Sequence, residues 1–271
     1  MKIVSFNVNG IRARLHQLAA LIESHRPDVI GLQETKVENS LFPIAEIRAL
    51  GYEAVFHGQR GHYGVALLYR GELLASTQGF PADEEDAQCR LVSVTLPTSN
   101  GPLTIYNGYF PQGENRAHPI KFPAKEAFYR NFREHLDATH DPGDALVVMG
   151  DMNVAPLDKD IGIGEQNRKR WLRTGKCCFL PEEREWLTRL CQWGLYDSYE
   201  HLHTEGGEQR YSWFDYRSRG FEDDPKRGLR IDLVLVSKSV LERQRAAGID
   251  QHIRAMEKPS DHCPVWIEGD F

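Results

Sequence analysis

Two short stretches, Val29-Ile30-Gly31-Leu32-Gln33 and Ala145-Leu146-Val147-Val148-Met149, are apolar at nearly every position instead of at every second one. A strand with one wet face alternates, whereas a strand covered on both faces does not. The chain must therefore build sheets that are packed from both sides. Lys2 to Asn7 reads as another such strand, and Val65–Tyr69, Leu91–Leu96, Leu103–Tyr109, Ile231–Val236 and Val265–Ile267 add more. Between them lie helical patterns. Leu15, Leu18, Ala19 and Ile22 share one face of a helix over about Leu15 to His25, which Pro27 ends. A short helix near Phe42 to Leu50 stops at Gly51. Pro123 opens a helix carrying Ala127, Phe128, Phe132 and Leu136, and Pro181 opens one through Trp186, Leu187, Leu190 and Cys191 that ends at Gly194. Two groups of strands with covering helices point to two sheets packed face to face between helical layers. No repeat, low-complexity tract or Ser/Gly linker divides the chain, so one domain over residues 1–271 is expected, long enough for a sizeable core.

No apolar run approaches the roughly 20 residues that span a bilayer. The opening MKIVSFNVNG is broken at once by Asn7 and Asn9, so it reads as a strand and not as the apolar core of a signal peptide. A cytosolic protein with no membrane partner is expected, and a monomer. Five cysteines, with Cys177 and Cys178 adjacent and no CxxC or Cys/His metal spacing, read as reduced packing residues. The net charge of −6, taken as a sum, argues against nucleic acid. Its distribution weakens that argument. Acids gather at Asp83-Glu84-Glu85-Asp86 and Glu182-Glu183-Arg184-Glu185, while the basic stretch Arg168 to Lys176 stands between segments that look catalytic. A metal site also needs carboxylates, so the total charge decides nothing about DNA.

The informative pattern is where polar residues fall: at the ends of strands that otherwise look buried. Asn7 follows Ile3-Val4-Ser5-Phe6, Glu34 follows the Val29–Gln33 run, and Tyr109 follows Ile105 to Gly108. Asp151 and Asn153 follow Leu146 to Gly150, Asp232 lies in Arg230 to Leu235, and Asp261-His262 precedes Cys263 to Trp266. Strand ends hold side chains rigidly around a shared cleft. Each residue alone has an ordinary reading: Asn7 as a turn residue, Glu34 as a solvated rim acid, Asp151 to Asn153 as an Asx turn, Asp261-His262 as a surface pair. Together they are six polar sites of compatible chemistry on core strands. Buried carboxylates need partners, and a divalent cation held by carboxylate and amide oxygens, Mg²⁺ or Mn²⁺, would supply one.

Ile3 to Gly10, Leu32-Gln33-Glu34-Thr35-Lys36, Gly150-Asp151-Met152-Asn153 and Ser260-Asp261-His262 resemble the motifs of the exonuclease–endonuclease–phosphatase superfamily. Asn107 to Gly113, Ile161 to Arg173, Phe179 to Trp186 and Ser212 to Arg217 narrow the resemblance to its apurinic/apyrimidinic endonuclease (exonuclease III) family, from residue 1 to about residue 267. The resemblance implies a four-layer α/β/β/α sandwich, two packed mixed β-sheets flanked by helices, with the active site at one edge. It implies a Mg²⁺-dependent phosphodiesterase acting on double-stranded DNA, cutting 5′ to abasic sites and working from 3′ ends as exonuclease and 3′-phosphatase, with ribonuclease H activity besides. It implies that Glu34 and Asp261 hold the metal with Asn7 close by. Asp151 would orient or deprotonate the attacking water, Asn153 and Tyr109 would contact the phosphate, and Asp232 would orient His262. In a two-metal reading Asp151, Asn153 and His262 would be ligands of a second ion. Arg90, Lys121 and the Arg168–Lys176 stretch are candidates for phosphate contacts, and Trp213, with Leu229 and Ile231, for the wall of a pocket taking the extruded abasic sugar. Cys263 stands where the family more often has Ala, and its thiol would add oxidation sensitivity. The rival reading on the same fold is a phosphatase of inositol phosphates or phospholipids; it would need a headgroup-recognition loop in place of the Trp213 segment and the basic insertion. A non-catalytic binding protein would be expected to have lost some of Glu34, Asp151, Asn153, Asp261 and His262, and all are present.

Overall fold

The computed structural model describes residues 1–271, apart from the side chain of Glu208. In chain order the strands are β1 (Lys2–Asn7), β2 (Val29–Gln33), β3 (Glu53–His57), β4 (Val65–Tyr69), β5 (Ala75–Gln78), β6 (Leu91–Thr98), β7 (Gly101–Tyr109), β8 (Leu146–Asp151), β9 (Leu195–Asp197), β10 (Asp232–Ser237), β11 (Gln244–Ile249) and β12 (Val265–Gly269). The helices are α1 (Leu15–His25), α2 (Ile44–Ala49), α3 (Lys121–Thr139), α4 (Glu165–Thr174), α5 (Pro181–Cys191), α6 (Ser198–Leu202), α7 (Lys238–Leu241) and α8 (Gln251–Arg254). Two six-stranded sheets form, in the orders β11-β12-β1-β2-β4-β3 and β5-β6-β7-β8-β10-β9. Each is mixed: β1–β2 and β7–β8 are parallel, and their other pairings are antiparallel. Among the described residues no helix is long and apolar enough to cross a membrane.

The continuous apolar strands have the reason expected of them. Successive side chains of a strand point to opposite faces. Ile3, Val29, Val147, Met149 and Val234 meet between the sheets, while Val4, Phe6, Ile30 and Leu32 pack under one helical layer and Leu146, Val148, Leu233 and Leu235 under the other. α1 and α2 supply Leu18, Leu21 and Ile47 to the first outer core; α3 and α5 supply Phe128, Phe132, Leu136, Leu187 and Leu190 to the second. The four layers are therefore α/β/β/α, as the resemblance implies.

The same two-residue period decides where the polar strand ends point. Asn7 shares the face of Ile3, Asp151 that of Val147 and Met149, Tyr109 that of Ile105, and Asp232 that of Val234. All four therefore face into the gap between the sheets, at one end of it. Below them a polar belt ties the sheets together. Asn107 of β7 donates to the carbonyls of Leu32 and Ala66 at 2.9 Å each, and Gln33 donates to Asn107 at 2.5 Å and to Ser5 at 3.0 Å.

Boundaries shift slightly. The helix expected from Pro123 begins at Lys121, the one expected over Phe42 to Leu50 is Ile44–Ala49, and Leu91–Leu96 extends to Thr98 where it turns into β7. Four strands, β3, β5, β9 and β11, carry no continuous apolar signature, and each is an outermost strand of its sheet.

Candidate active site

The sheet registers assemble the site. Tyr109 pairs with Asp151 across β7–β8, and Asp151 pairs with Asp232 across β8–β10, so three polar residues stand in a row on adjacent strands. Opposite them Asn7 pairs with Gln33, one residue before Glu34. Asp261 and His262 arrive on the segment before β12. Ser260 fixes it, with Oγ donating to the carbonyl of Asn7 at 2.6 Å and accepting from His262 N at 3.2 Å. Glu34, Tyr109, Asp151, Asn153, Asp261 and His262 all line one cleft of about 310 Å³, with Asn7 and Asp232 buried behind it.

Asn7 Nδ2 donates to Glu34 Oε1 at 2.9 Å and to Asp151 Oδ2 at 3.0 Å, so one amide links acids from both sheets. Ligand atoms of Glu34, Asp151 and His262 lie within 4.8 Å of one another, a candidate metal site whose donors are mostly hard oxygens. Asp261 sits to one side of this group. Its Oδ1 accepts from Asn9 at 2.9 Å and its Oδ2 from the Trp213 indole at 3.0 Å, leaving lone pairs on each oxygen. His262 Nδ1 meets both Asp232 oxygens at 2.9 and 3.0 Å, and its Nε2 lies 3.7 Å from Asp151 Oδ2. Ser212 Oγ holds Asp232 in turn, donating to Oδ2 at 2.6 Å.

Burial and proximity set the charges. Burial pushes Asp151 up to about 7; His262 opposes the shift, while Asp232 and Glu34 reinforce it. Burial disfavours the His262 imidazolium, yet Asp232 and Asp151 together hold its pKa up to about 10. Glu34 lies below its usual range, because Lys36 at 2.9 Å and the Asn7 amide outweigh desolvation. Burial and the carboxylates of Glu34 and Asp151 push Tyr109 well above the usual phenol value, so it stays an O–H donor. Asn9, Glu34, Lys36 and Asn153 all adopt left-handed backbone, with φ of 45° to 56°. Non-glycine residues in that region mark conformations that the surroundings impose.

The DNA-contact candidates fare unequally. Ile231 and Trp213 line the cleft, with Trp171 and Lys176 from the basic stretch. Leu229 is fully buried behind Trp213, to which its backbone bonds. Arg90 is mostly buried: its guanidinium lies 4.2 Å from the Tyr63 ring and 4.8 Å from the Tyr109 ring, and it donates to the Tyr109 carbonyl at 2.9 Å. It props up Tyr109 from a neighbouring hollow that Lys121 also lines. Lys121 is exposed and paired with Glu114 at 2.5 Å. Arg168 pairs with Asp158 at 2.6 Å, so the basic stretch is partly neutralised. Cys263 is fully buried beside Tyr211 and Phe214, and burial raises its thiol well above the usual value. That corrects the expected oxidation sensitivity, which needs an accessible thiolate. The residue types of Asn9, Lys36 and Ser212 carry no functional mark; all three lie inside the motifs that carry the family resemblance, but only their contacts give them a role.

A cleft of convergent carboxylates with a buried Asp–His pair, at the shared end of two sandwiched sheets, defines a class of metal-dependent phosphoesterases. Residues 4–262 match the Endonuclease/Exonuclease/phosphatase family, and the chain belongs to it. It is 57% identical over 268 residues to the exodeoxyribonuclease III of Haemophilus influenzae, covering 99% of both chains. It is 30% identical to an exodeoxyribonuclease of Bacillus subtilis, covering 98% of each. Among solved structures, a Neisseria 3′ phosphatase bound to a product DNA hairpin aligns over 100% of both chains with a TM-score of 0.89 at 34% identity. An AP endonuclease from Archaeoglobus fulgidus does so with a TM-score of 0.89 at 31% identity.

Proposed function

We infer that this protein is a DNA-repair nuclease: a Mg²⁺-dependent phosphodiesterase that nicks duplex DNA 5′ to abasic sites and removes nucleotides or phosphate from 3′ ends. The observation that carries the reading is the Asn7 amide bridging Glu34 and Asp151, directly beside the Asp232–His262 pair. The whole-length likeness to exodeoxyribonuclease III and to a DNA-bound 3′ phosphatase supports the substrate class.

Glu34, with Asn7 beside it, would hold the ion, and Asp261 has lone pairs to offer from the same cleft. Bound Mg²⁺ would supply Lewis acidity to the phosphate oxygens; Mn²⁺ fits the same oxygen donors. Asp151, its carboxyl poised near neutrality by burial, orients the attacking water and accepts its proton. His262, kept cationic by Asp232, places positive charge where negative charge develops on the phosphate. Tyr109 donates its phenol proton in a hydrogen bond to a phosphate oxygen. Asn153 gives one amide hydrogen to the Phe110 carbonyl at 3.0 Å and keeps the other for the phosphate. Trp213 and Ile231 wall the space for an extruded abasic sugar, which needs no base to be unstacked. Lys176 adds charge for the phosphate backbone. A cytoplasmic location goes with that reading and is in keeping with five free cysteines; a monomer is proposed beside it.

The test is cleavage of an end-labelled duplex carrying one abasic-site analogue, with Mg²⁺ and with EDTA. A Mg²⁺-dependent nick 5′ to the lesion, followed by 3′ trimming, is expected. Folded protein that leaves the duplex intact with Mg²⁺ and Mn²⁺ would overturn the reading.

A further inference from the structure

Lys125 of α3 and Glu183 of α5 are both fully buried, with Nζ and Oε1 2.5 Å apart. Burying such a pair brings little net stability, since apolar side chains of similar volume often serve as well. What an ammonium provides and an apolar side chain cannot is three directed donors. Only one of them goes to Glu183. The others reach main-chain carbonyls, of Asn153 at 2.8 Å and of Gln112 at 3.4 Å. Both of those residues line the catalytic cleft, on segments that follow β8 and β7.

The rest of the packing keeps this contact fixed. Glu183 Oε2 accepts from Leu180 N at 2.8 Å, closing the first turn of α5, so the carboxylate cannot swing away. That gives the Phe179 to Trp186 motif a purpose that the chemistry of the cleft does not supply. One helical turn beyond Lys125, Tyr129 holds the Met152 carbonyl at 2.6 Å, so α3 grips the segment after β8 at two consecutive residues. Asn153 takes left-handed backbone there, with φ 53°, and the grip on its carbonyl adds to the bonds its own amides make to Asp151 and Phe110. On the other segment, a Cβ at Gly113 would stand 3.0 Å from Lys125 Cδ, so the chain rests directly on the lysine stem.

We propose that Lys125 is a positioning residue of this enzyme, its ammonium clamping the main chain at Gln112 and Asn153 so that both side chains keep their places in the cleft wall. The proposal rests on the nuclease reading above and assigns the Lys125–Glu183 pair to the geometry of the reaction, not to stability.

The test uses Lys125→Met/Glu183→Gln, because Lys125→Met alone strands a buried carboxylate and endangers the fold. Circular dichroism and Tm report folding; kcat and KM are measured on the abasic duplex. A folded double variant should lose about 10–100-fold in kcat, the range seen when outer supports of a reacting group are removed. KM should move far less, as befits an interaction realised in the transition state. Wild-type kcat in the folded double variant overturns the proposal, as does a loss that only tracks a falling Tm. If the wild-type protein itself cleaves nothing, it is the nuclease reading that fails. Hydrogen exchange at the Gly113 to Asn115 and Asn153 to Val154 amides then judges the clamp: faster exchange in the double variant supports it, and unchanged exchange rejects it.

Discussion

Asn7 commits both amide hydrogens to carboxylates, and that single residue sets the distance between Glu34, proposed to hold the ion, and Asp151, proposed to orient the water. Neither partner can move without leaving a buried donor unmatched, which costs about 1–3 kcal/mol. Asp151 is the more consequential of the two, since it also bonds Asn153 N at 3.0 Å and faces His262. Asp151→Asn keeps the shape and the acceptor toward Asn153 but removes the proposed base. It should match the wild type by circular dichroism and lose at least ~10²–10³ in turnover, by analogy with removal of one transition-state contact. Near-normal cleavage by the variant would remove Asp151 from its assigned role. At this scale the chemistry was legible in the residue types. Asn9 and Ser212 were not, because an Asn in a turn and a Ser before a Trp have no local signature; only contacts 252 and 20 residues along the chain give them work.

Element positions follow from burial, and so does what the sequence concealed. β1, β2, β8 and β10 are buried along their length and read plainly as strands. β5 is exposed at every position and β3 at its start, so they carry no apolar pattern, and they pair only because a neighbour offers a ladder. Edge strands are read from their sheet and not from their own residues. The central strands carry the opposite constraint. Gly150 has φ 147°, and a Cβ there would stand 1.9 Å from the Gly108 carbonyl oxygen of β7. Gly150→Ala must therefore push β7 from β8 at the point where Tyr109 pairs with Asp151. It should lower stability by about 2–3 kcal/mol or more and activity beyond what the stability loss explains. Chemical denaturation beside the cleavage assay checks it, and a wild-type midpoint would refute the close approach.

Across the whole molecule, a second polar centre holds the segments that lead into the site. Asp160 Oδ1 accepts from Arg230 at 2.8 Å and from Arg210 at 2.7 Å, Arg230 reaches Asp197 at 2.8 Å, and Arg210 reaches Glu200 at 2.7 Å. This network joins the chain after β8 to β9, α6 and the residue preceding Ile231 and Asp232. Burial raises the Asp160 pKa, but the two guanidiniums outweigh it and hold the carboxyl below its usual 3.8. A lowered folded pKa means that the stabilisation is present above the unfolded value and fades as pH falls through the folded one. Asp160→Asn should cost about 3–5 kcal/mol at neutral pH, the usual penalty for stranding buried partners. Its Tm should also fall less steeply than that of the wild type below about pH 4, where unfolded aspartate protonates. Parallel acid limbs in the two proteins would count against the linkage.

By itself the sequence determined the sandwiched sheets, because covering a strand on both faces leaves an unbroken apolar run. It also determined the acids, amide and imidazole of the cleft, because several polar residues that each end a buried run must converge where the covered strands open to solvent. Tertiary structure decided the rest: which acids share the Asn7 amide, why Arg90 supports Tyr109 from behind, and how Lys125 reaches across from α3 to Asn153. Those facts depend on register and on contacts between residues far apart in the chain, and local pattern carries no record of either.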